Sequence, residues 1–135
     1  RSMSIRIDDG SVREPILNAH GQEIGVAIYN PHDVGVLQRY KEKENEFDGL
    51  KEVDPKSENL LAEVEDILKP ILDYIFYPGF YAAAFSHVYP LTKVGEDDVF
   101  CLVLVREIIS RINSTITDDF KASEEKKKKY LEDYE

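Results

Sequence analysis

The stretch LLAEVEDILKPILDYIF, from Leu60 to Phe76, decides the fold of this chain. Apolar residues recur in it at spacings of three and four, which is the period of an amphipathic α-helix of about five turns. Such a helix buries one face, so other elements must pack against it. The apolar stripe consists of Leu60, Leu61, Val64, Ile67, Leu68, Ile71, Leu72, Ile75 and Phe76.

Pro70 lies inside this helix. A proline deletes one backbone hydrogen bond and clashes with the preceding turn. We therefore expect Pro70 either to kink the helix or to divide it in two, and the apolar stripe continues across it in both cases. Tyr77-Pro78-Gly79 ends the run, and residues 80–87 are read as a short Ala-rich helix.

The N-terminal part, residues 3–29, has no helical period and several turn signals. Asp9-Gly10 and His20-Gly21-Gln22 separate short apolar segments, a pattern typical of antiparallel strands. We predict a small β-meander over residues 3–29, with one face on the helices and the other in contact with water. The two alternating sets are Ile24, Val26 and Ile28, and Gly25, Ala27 and Tyr29.

A first helix is predicted directly after the meander. Asn30 is placed to cap it and Pro31 would occupy its first position, where the missing N–H costs nothing. The helix is expected to fade at Asp48-Gly49, before a charged connector over residues 51–56. Its inward residues are predicted to be Val34, Leu37, Tyr40 and Phe47.

A last long helix is predicted after Gly95, where Glu96, Asp97 and Asp98 would complement the positive end of the helix dipole. Its apolar face is wide, so the helix is either central in the fold or covered by a second subunit. The expected core residues are Val99, Leu102, Val103, Ile108 or Ile109, Ile112 and Ile116, widened by Phe100, Leu104 and Val105.

These segments together predict an α+β fold, in which a small N-terminal antiparallel β-meander is followed by a bundle of three to four helices. With 135 residues the chain fits one domain, which we assign to residues 3–120 with its helical part at 31–120. Arg1 and Ser2, ahead of Met3, are read as a cloning remnant. Residues 121–135 are predicted to be a polar, mobile tail, either frayed helix or disordered.

The formal net charge of −10 argues against a nucleic-acid partner, because phosphate backbones attract basic surfaces. Cys101 is the single cysteine and lies among apolar residues, so we expect a buried, reduced thiol and an intracellular protein. No apolar run approaches the roughly 20 residues that cross a bilayer, and no signal peptide is visible. We expect a cytoplasmic protein without a membrane partner.

Catalytic and metal-binding patterns are missing from the sequence. His20, His32, His87 and Cys101 lie far apart, and no nucleotide-binding or nucleophile motif occurs. We therefore expect no enzyme activity, no metal and no cofactor. A small-molecule enzyme remains the third functional class, and it would require a concave pocket with a perturbed carboxylate or histidine.

Aromatic residues are concentrated where the second helix ends. They form either a corner of the core or, in part, an exposed patch for a protein partner, since interfaces are enriched in Tyr and Phe. The cluster consists of Tyr74, Phe76, Tyr77, Phe80, Tyr81, Phe85 and Tyr89.

The order of these segments, and short stretches of sequence within them, resemble those of the tail assembly chaperones of long-tailed phages and prophages of Gram-positive bacteria. The similarity covers nearly the whole chain. Where the family has a glycine-rich segment before the last helix, this chain reads Tyr77-Pro78-Gly79-Phe80-Tyr81. The matching segments are Tyr29-Asn30-Pro31-His32-Asp33-Val34, Leu37 to Glu42, Ile67 to Phe76, Asp97 to Leu102 and the Lys/Glu-rich tail.

The resemblance implies a chaperone that coats the tape-measure protein and helps tail-tube subunits assemble around it. It also implies self-association, a longer form made by ribosomal frameshifting, and absence from the mature virion. Wide apolar faces suit such a role, and we expect the aromatic segment and the outer side of the last helix to contact partners. The expected contact residues are Tyr74, Tyr77, Phe80, Tyr81, Phe85, Phe100 and Leu104.

The alternative function is an acidic protein-interaction domain unrelated to phage tails. It would act as an inhibitor, antitoxin or immunity protein whose negative surface neutralises a basic partner.

Overall fold

The fold opens with an antiparallel hairpin and continues as a set of helices. The computed structural model describes residues 3–132, so the predicted cloning remnant and the last three tail residues lie outside the described part. The elements are β1 (Val12–Leu17), β2 (Glu23–Tyr29), α1 (Val34–Lys43), a 3₁₀ helix (Glu44–Glu52), α2 (Leu60–Ile75), α3 (Phe80–Ala84), β3 (Lys93–Val94), β4 (Asp98–Val99) and α4 (Phe100–Glu132). The α+β prediction is confirmed.

The core forms where α2 and α4 bury their apolar faces beneath the hairpin. Of the predicted α2 stripe, Val64, Leu68, Leu72 and Ile75 are buried, but Leu61 is 68% exposed because it lies at the border of the apolar face. The other buried residues are Ala27, Tyr29, Val36, Ile71, Phe76, Phe80, Tyr81, Ala84, Cys101, Leu104, Val105, Ile108 and Ile112.

Pro70 does not divide α2, which is continuous from Leu60 to Ile75. The proline lies on the exposed side of the helix. The carbonyl of Asp66, which loses its helical donor there, is therefore on the side that water can reach. Burial of the opposite face keeps the helix whole.

The N-terminal sheet has two strands, β1 and β2, and residues 3–9 carry no secondary structure. Gly25, Ala27 and Tyr29 face the core, which leaves the other alternating set on the outer face. A Cβ added at Gly25 would overlap the carbonyl oxygen of Ala84. Glycine therefore lets β2 lie directly against α3.

Helix α1 begins three residues later than predicted. Residues 30–33 form a turn, and the side chain of Asp33, rather than Asn30, caps the helix by accepting from the Gly35 N–H at 2.8 Å. Val34 is consequently 63% exposed and Val36 is fully buried. The predicted inward position of Val34 is wrong, because its place in the first turn points it to solvent.

The first helix also ends differently from the prediction. Instead of fading at Asp48-Gly49, the chain tightens into the 3₁₀ helix, which ends at Glu52. Phe47 and Leu50 of this segment pack against the core, as do Leu37 and Tyr40 of α1. Core contacts therefore extend the helical region by one further turn.

Helix α4 begins at Phe100, because residues 93–99 form the short hairpin β3–β4 that the sequence did not predict. Backbone carbonyls of Thr92 and Pro90 accept from the N–H groups of Phe100 and Cys101 at 2.8 Å. These carbonyls satisfy the first donors of the helix, whereas residues 96–98, whose carboxylates were predicted to complement the helix dipole, belong to the hairpin and its turn.

The buried face of α4 is formed by Cys101, Leu104, Val105, Ile108 and Ile112. The thiol of Cys101 is fully buried, as predicted. Leu102 and Val103 are each 37% exposed and were wrongly placed in the core, because the apolar run there covers more than one side of the helix. The helix continues through the polar tail to Glu132.

Candidate protein-interaction surface

The aromatic cluster is organised by a sharp turn between α2 and α3. Gly79 has φ 85°, a conformation that glycine adopts without steric cost, and this redirects the chain so that Phe80 returns onto Phe76. The two rings stack at 4.7 Å between centroids. The cluster continues outward through Tyr81 and Phe85, at 5.0 Å.

The predicted contact residues divide between core and surface. Phe80, Tyr81 and Leu104 are buried, so their rings and side chain pack the core. Phe85 and Phe100 are half-buried and meet edge to face at 5.8 Å. The buried members therefore support the surface from beneath, while a partner can touch the half-exposed ones.

One cleft lies between the start of α2 and the segment that follows α3, with a volume of about 430 Å³. Its walls are mainly aromatic and aliphatic, and burial together with the nearby charge of Glu65 raises the pKa of Tyr81 to about 12. We call it the aromatic cleft. It is lined by Leu61, Glu65, Tyr81, Ala82, Phe85, Ser86, His87, Val88, Tyr89 and Pro90.

Tyr74 and Tyr77 line a different, acidic cleft of about 510 Å³. The Tyr77 hydroxyl donates to Asp9, and hydrogen bonds from Ser11 and Tyr77 lower the pKa of Asp9 to about 2. The Tyr74 hydroxyl donates to Glu42 at 2.8 Å. The structure therefore does not bring these two tyrosines into one patch with Phe85.

A polar contact joins the hairpin to α4. Glu14 accepts from the Tyr29 hydroxyl and from Arg111, both at 2.7 Å, and Arg111 also binds Glu107 at 3.1 Å. Burial and the Glu14 carboxylate raise the pKa of Tyr29 to about 12. This cluster positions the sheet above α4, over a small cavity of about 210 Å³.

The C-terminal part of α4 extends beyond the core. Every residue from Thr117 to Glu132 is exposed, over a length of about 24 Å. His32, in the turn that follows β2, contacts Asp119 on this projection at 2.7 Å. Phe120 and Leu131 are exposed apolar residues on this projection, which also carries the basic run Lys126 to Lys129.

The core thiol of Cys101 is held in its protonated form. Burial raises the pKa of the Cys101 thiol to about 11. Among residues 3–132, no group of three or more His, Cys, Asp or Glu side chains could hold a metal ion. The same residues include no helix that is long and apolar enough to cross a membrane.

Sequence reasoning missed several residues of this surface. Leu61 was assigned to the buried stripe although it forms a wall of the aromatic cleft. Its position at the border of that stripe, next to the charged side of α2, was the available signal. The contact of Glu14 with Arg111 joins residues 97 positions apart, and no local pattern indicates it.

In comparisons with known proteins, no family model, no curated protein sequence and no solved structure matches this chain.

Proposed function

We propose that this protein is a tail assembly chaperone of a long-tailed phage or prophage of Gram-positive bacteria. It binds the tape-measure protein and assists assembly of the tail-tube protein in the host cytoplasm, without catalysis and without joining the mature virion. The proposal rests on the sequence resemblance and on the apolar surface that the fold leaves uncovered.

The observation that carries the proposal is the aromatic cleft. Leu61 is 68% exposed at its edge, and Phe85 and Tyr89 are half-buried within it. Large apolar side chains at the rim of a cleft are suited to the apolar face of a partner helix, which docks residues at helical spacing into such a groove. The tape-measure protein, if it is a long coiled coil, would present many such faces.

Self-association belongs to the same proposal. Several copies could then cover one long partner, and head-to-tail contacts would form a ring or an open array. The exposed projection of α4 supports this role, because an isolated polar helix of this length is marginal in water and gains stability from a partner.

Co-expression with the tape-measure protein tests the function. We expect the two proteins to co-purify at moderate salt, with several copies of this chain per partner. Leu61→Asp should weaken retention at least about tenfold, because it places a charge at the rim of an apolar contact.

Val34→Asp is the matched control, since Val34 is comparably exposed but lies on α1 outside the aromatic cleft. It should leave retention unchanged. An insoluble tape-measure protein beside a monomeric, folded chain would exclude the chaperone role.

A second function, an acidic inhibitor or immunity protein, is favoured by the acidic cleft. Asp9, Asp33 and Asp73 line it together with one cation, Arg39, which pairs with Asp33 at 3.2 Å, so carboxylates outnumber the cation there; hydrogen bonds lower the pKa of Asp9 to about 2. Such a cleft would bind a basic partner, and the affinity would fall as salt rises. Binding to the tape-measure protein through Leu61 should change much less between low and high salt.

A further inference from the structure

The two edges of the N-terminal hairpin differ in chemistry. In β1, Arg13 and Glu14 are charged and Pro15 has no backbone N–H to donate. Such residues protect an edge strand from pairing with a further strand. β2 reads EIGVAIY and contains no proline and only one charge, at its first residue. The unprotected edge is therefore that of β2.

The outer edge of β2 has no strand partner, because the sheet contains only β1 and β2 within the described residues. Pro15 pairs with Val26, and a proline is accommodated where a pair exchanges no hydrogen bonds. This directs the N–H and C=O of Val26 away from β1. Among residues 3–132, no hydrogen bond outside the hairpin involves the backbone of Ile24, Val26 or Ile28.

The segment from Met3 to Asp8 has the pattern of a strand without a sheet. Met3, Ile5 and Ile7 alternate with polar residues and are 93%, 87% and 77% exposed. Alternation of period two places all three on one face of an extended chain. A segment with three large apolar side chains on one face would bury them by adding to the edge of a sheet.

The base of this segment is anchored. The Asn30 side chain donates to the Asp9 carbonyl, and Tyr77 holds the Asp9 carboxylate. Asp8 and Asp9 also accept from the N–H groups of Gly10 and Ser11, each at 2.9 Å. Beyond this anchored turn, residues 3–7 are exposed and do not pair with the sheet of their own chain.

We propose that residues 3–8 of one copy pair with the outer edge of β2 in a second copy. The added strand supplies backbone hydrogen bonds to Val26 and its neighbours. Its apolar face would continue the outer face of Ile24, Val26 and Ile28, which sets the register, since a shift of one residue would expose the apolar side chains. This inference stands on the hairpin and does not rest on the proposed function.

Analytical ultracentrifugation over a concentration series tests the exchange. We expect a concentration-dependent oligomer whose dissociation constant rises at least about tenfold in Ile5→Asp and in Val26→Lys. Val34→Asp should leave the dissociation constant unchanged, since Val34 is exposed on α1 and belongs neither to residues 3–8 nor to β2. A monomer at all concentrations, or an oligomer that Ile5→Asp and Val26→Lys both leave intact, would overturn the proposal.

Disulfide trapping distinguishes exchange between chains from misfolding of a variant. Cys101 is fully buried, so an introduced surface cysteine is the reactive one. Mixing an Ile5→Cys chain with a Val26→Cys chain should give a cross-linked dimer under mild oxidation, whereas Ile5→Cys mixed with Leu61→Cys should not. In a dilute Ile5→Cys/Val26→Cys double variant, a bond closed within one chain would show that the segment folds back on its own sheet and would refute the exchange.

Discussion

Tyr29 and Tyr74 make the same kind of hydrogen bond in different surroundings. Each hydroxyl donates to a carboxylate, at 2.7 and 2.8 Å, but Tyr29 is buried and Tyr74 is exposed. A hydrogen bond to a charged group contributes more to stability when water cannot replace it. The partner of Tyr29, Glu14, is also the residue that links β1 to α4.

We predict that Tyr29→Phe lowers the free energy of unfolding by about 1–2 kcal/mol. Tyr74→Phe should lower it by clearly less than Tyr29→Phe does, because water takes over an exposed bond. Urea denaturation of both variants measures the difference. Equal losses would contradict the assignment of the Glu14 contact as a structural link.

Alkaline pH provides an independent check on the same residue. The pKa of Tyr29 is raised from 10.0 to about 12 by burial and by Glu14. The unfolded chain therefore releases this proton first, so the contribution of Tyr29 to the free energy of unfolding should be constant below about pH 9 and be lost as pH rises from 10 to 12. The pKa of the Cys101 thiol is raised from 9.0 to about 11. This group therefore also lowers the free energy of unfolding as pH rises, and its effect begins at a lower pH than that of Tyr29.

Urea titrations between pH 8 and pH 11 measure this dependence. Tyr29→Phe should show a shallower fall than the parent protein, because it has lost one of the contributing groups. A steeper fall in that variant would be inconsistent with the buried hydrogen bond.

At the scale of elements, α2 tolerates Pro70 because the proline is on the exposed face. Pro70→Ala restores a donor to the Asp66 carbonyl and removes the clash with the preceding turn. We predict a gain of about 1–3 kcal/mol in the free energy of unfolding. Thermal and urea unfolding measure it, with Ala62 →Gly, at an exposed site on the same helix, as a control that should destabilise.

A loss of stability in Pro70→Ala would mean that the core requires a bend at this position. In that case the packing of Leu68 and Ile71, close to position 70, would favour proline there, although proline is unfavourable for the helix itself. Both neighbours belong to the buried face of α2.

The period of α2 was readable because helix formation and face selection depend on residues three and four apart. The hairpin β3–β4 could not be predicted from the sequence, since its two-residue strands are too short to show an alternating pattern. The acidic residues before α4 resembled a helix start, yet they lie in this hairpin and its turn. Tertiary contacts of residues 90–92 decided where the helix begins.

At the scale of the whole molecule, the projection of α4 is separate from the folding core. Residues 117–132 are all exposed, whereas the last buried residue is Ile112. We predict that ending the chain after Phe120 changes the melting temperature by less than about 3 °C, because little apolar area is lost. Differential scanning calorimetry measures this.

The same truncation should reduce co-purification with the tape-measure protein if the projection takes part in assembly. Residues up to Phe120 retain the contact between His32 and Asp119, so the hairpin remains tied to α4 in the shortened chain. A large loss of melting temperature would show that the projection folds back onto the core in solution.

The candidate site was predictable only in part. The aromatic cluster was visible as a concentration of rings between residues 74 and 89, but burial separated it into core members such as Phe80 and a cleft that includes Phe85. Composition cannot make that separation, because both groups have the same chemistry. Leu61 joined the cleft through the packing of α2 beside residues 81–90.

The sequence by itself determined the α+β class, the position and apolar face of α2, and the burial of Cys101, because periodicity and local apolar content act over a few residues. Only the tertiary structure decided which face of β2 turns inward, where α1 and α4 begin, and which aromatic residues reach the surface. The physical reason is that these outcomes depend on contacts such as Gly25 with Ala84 and Glu14 with Arg111, between residues far apart along the chain.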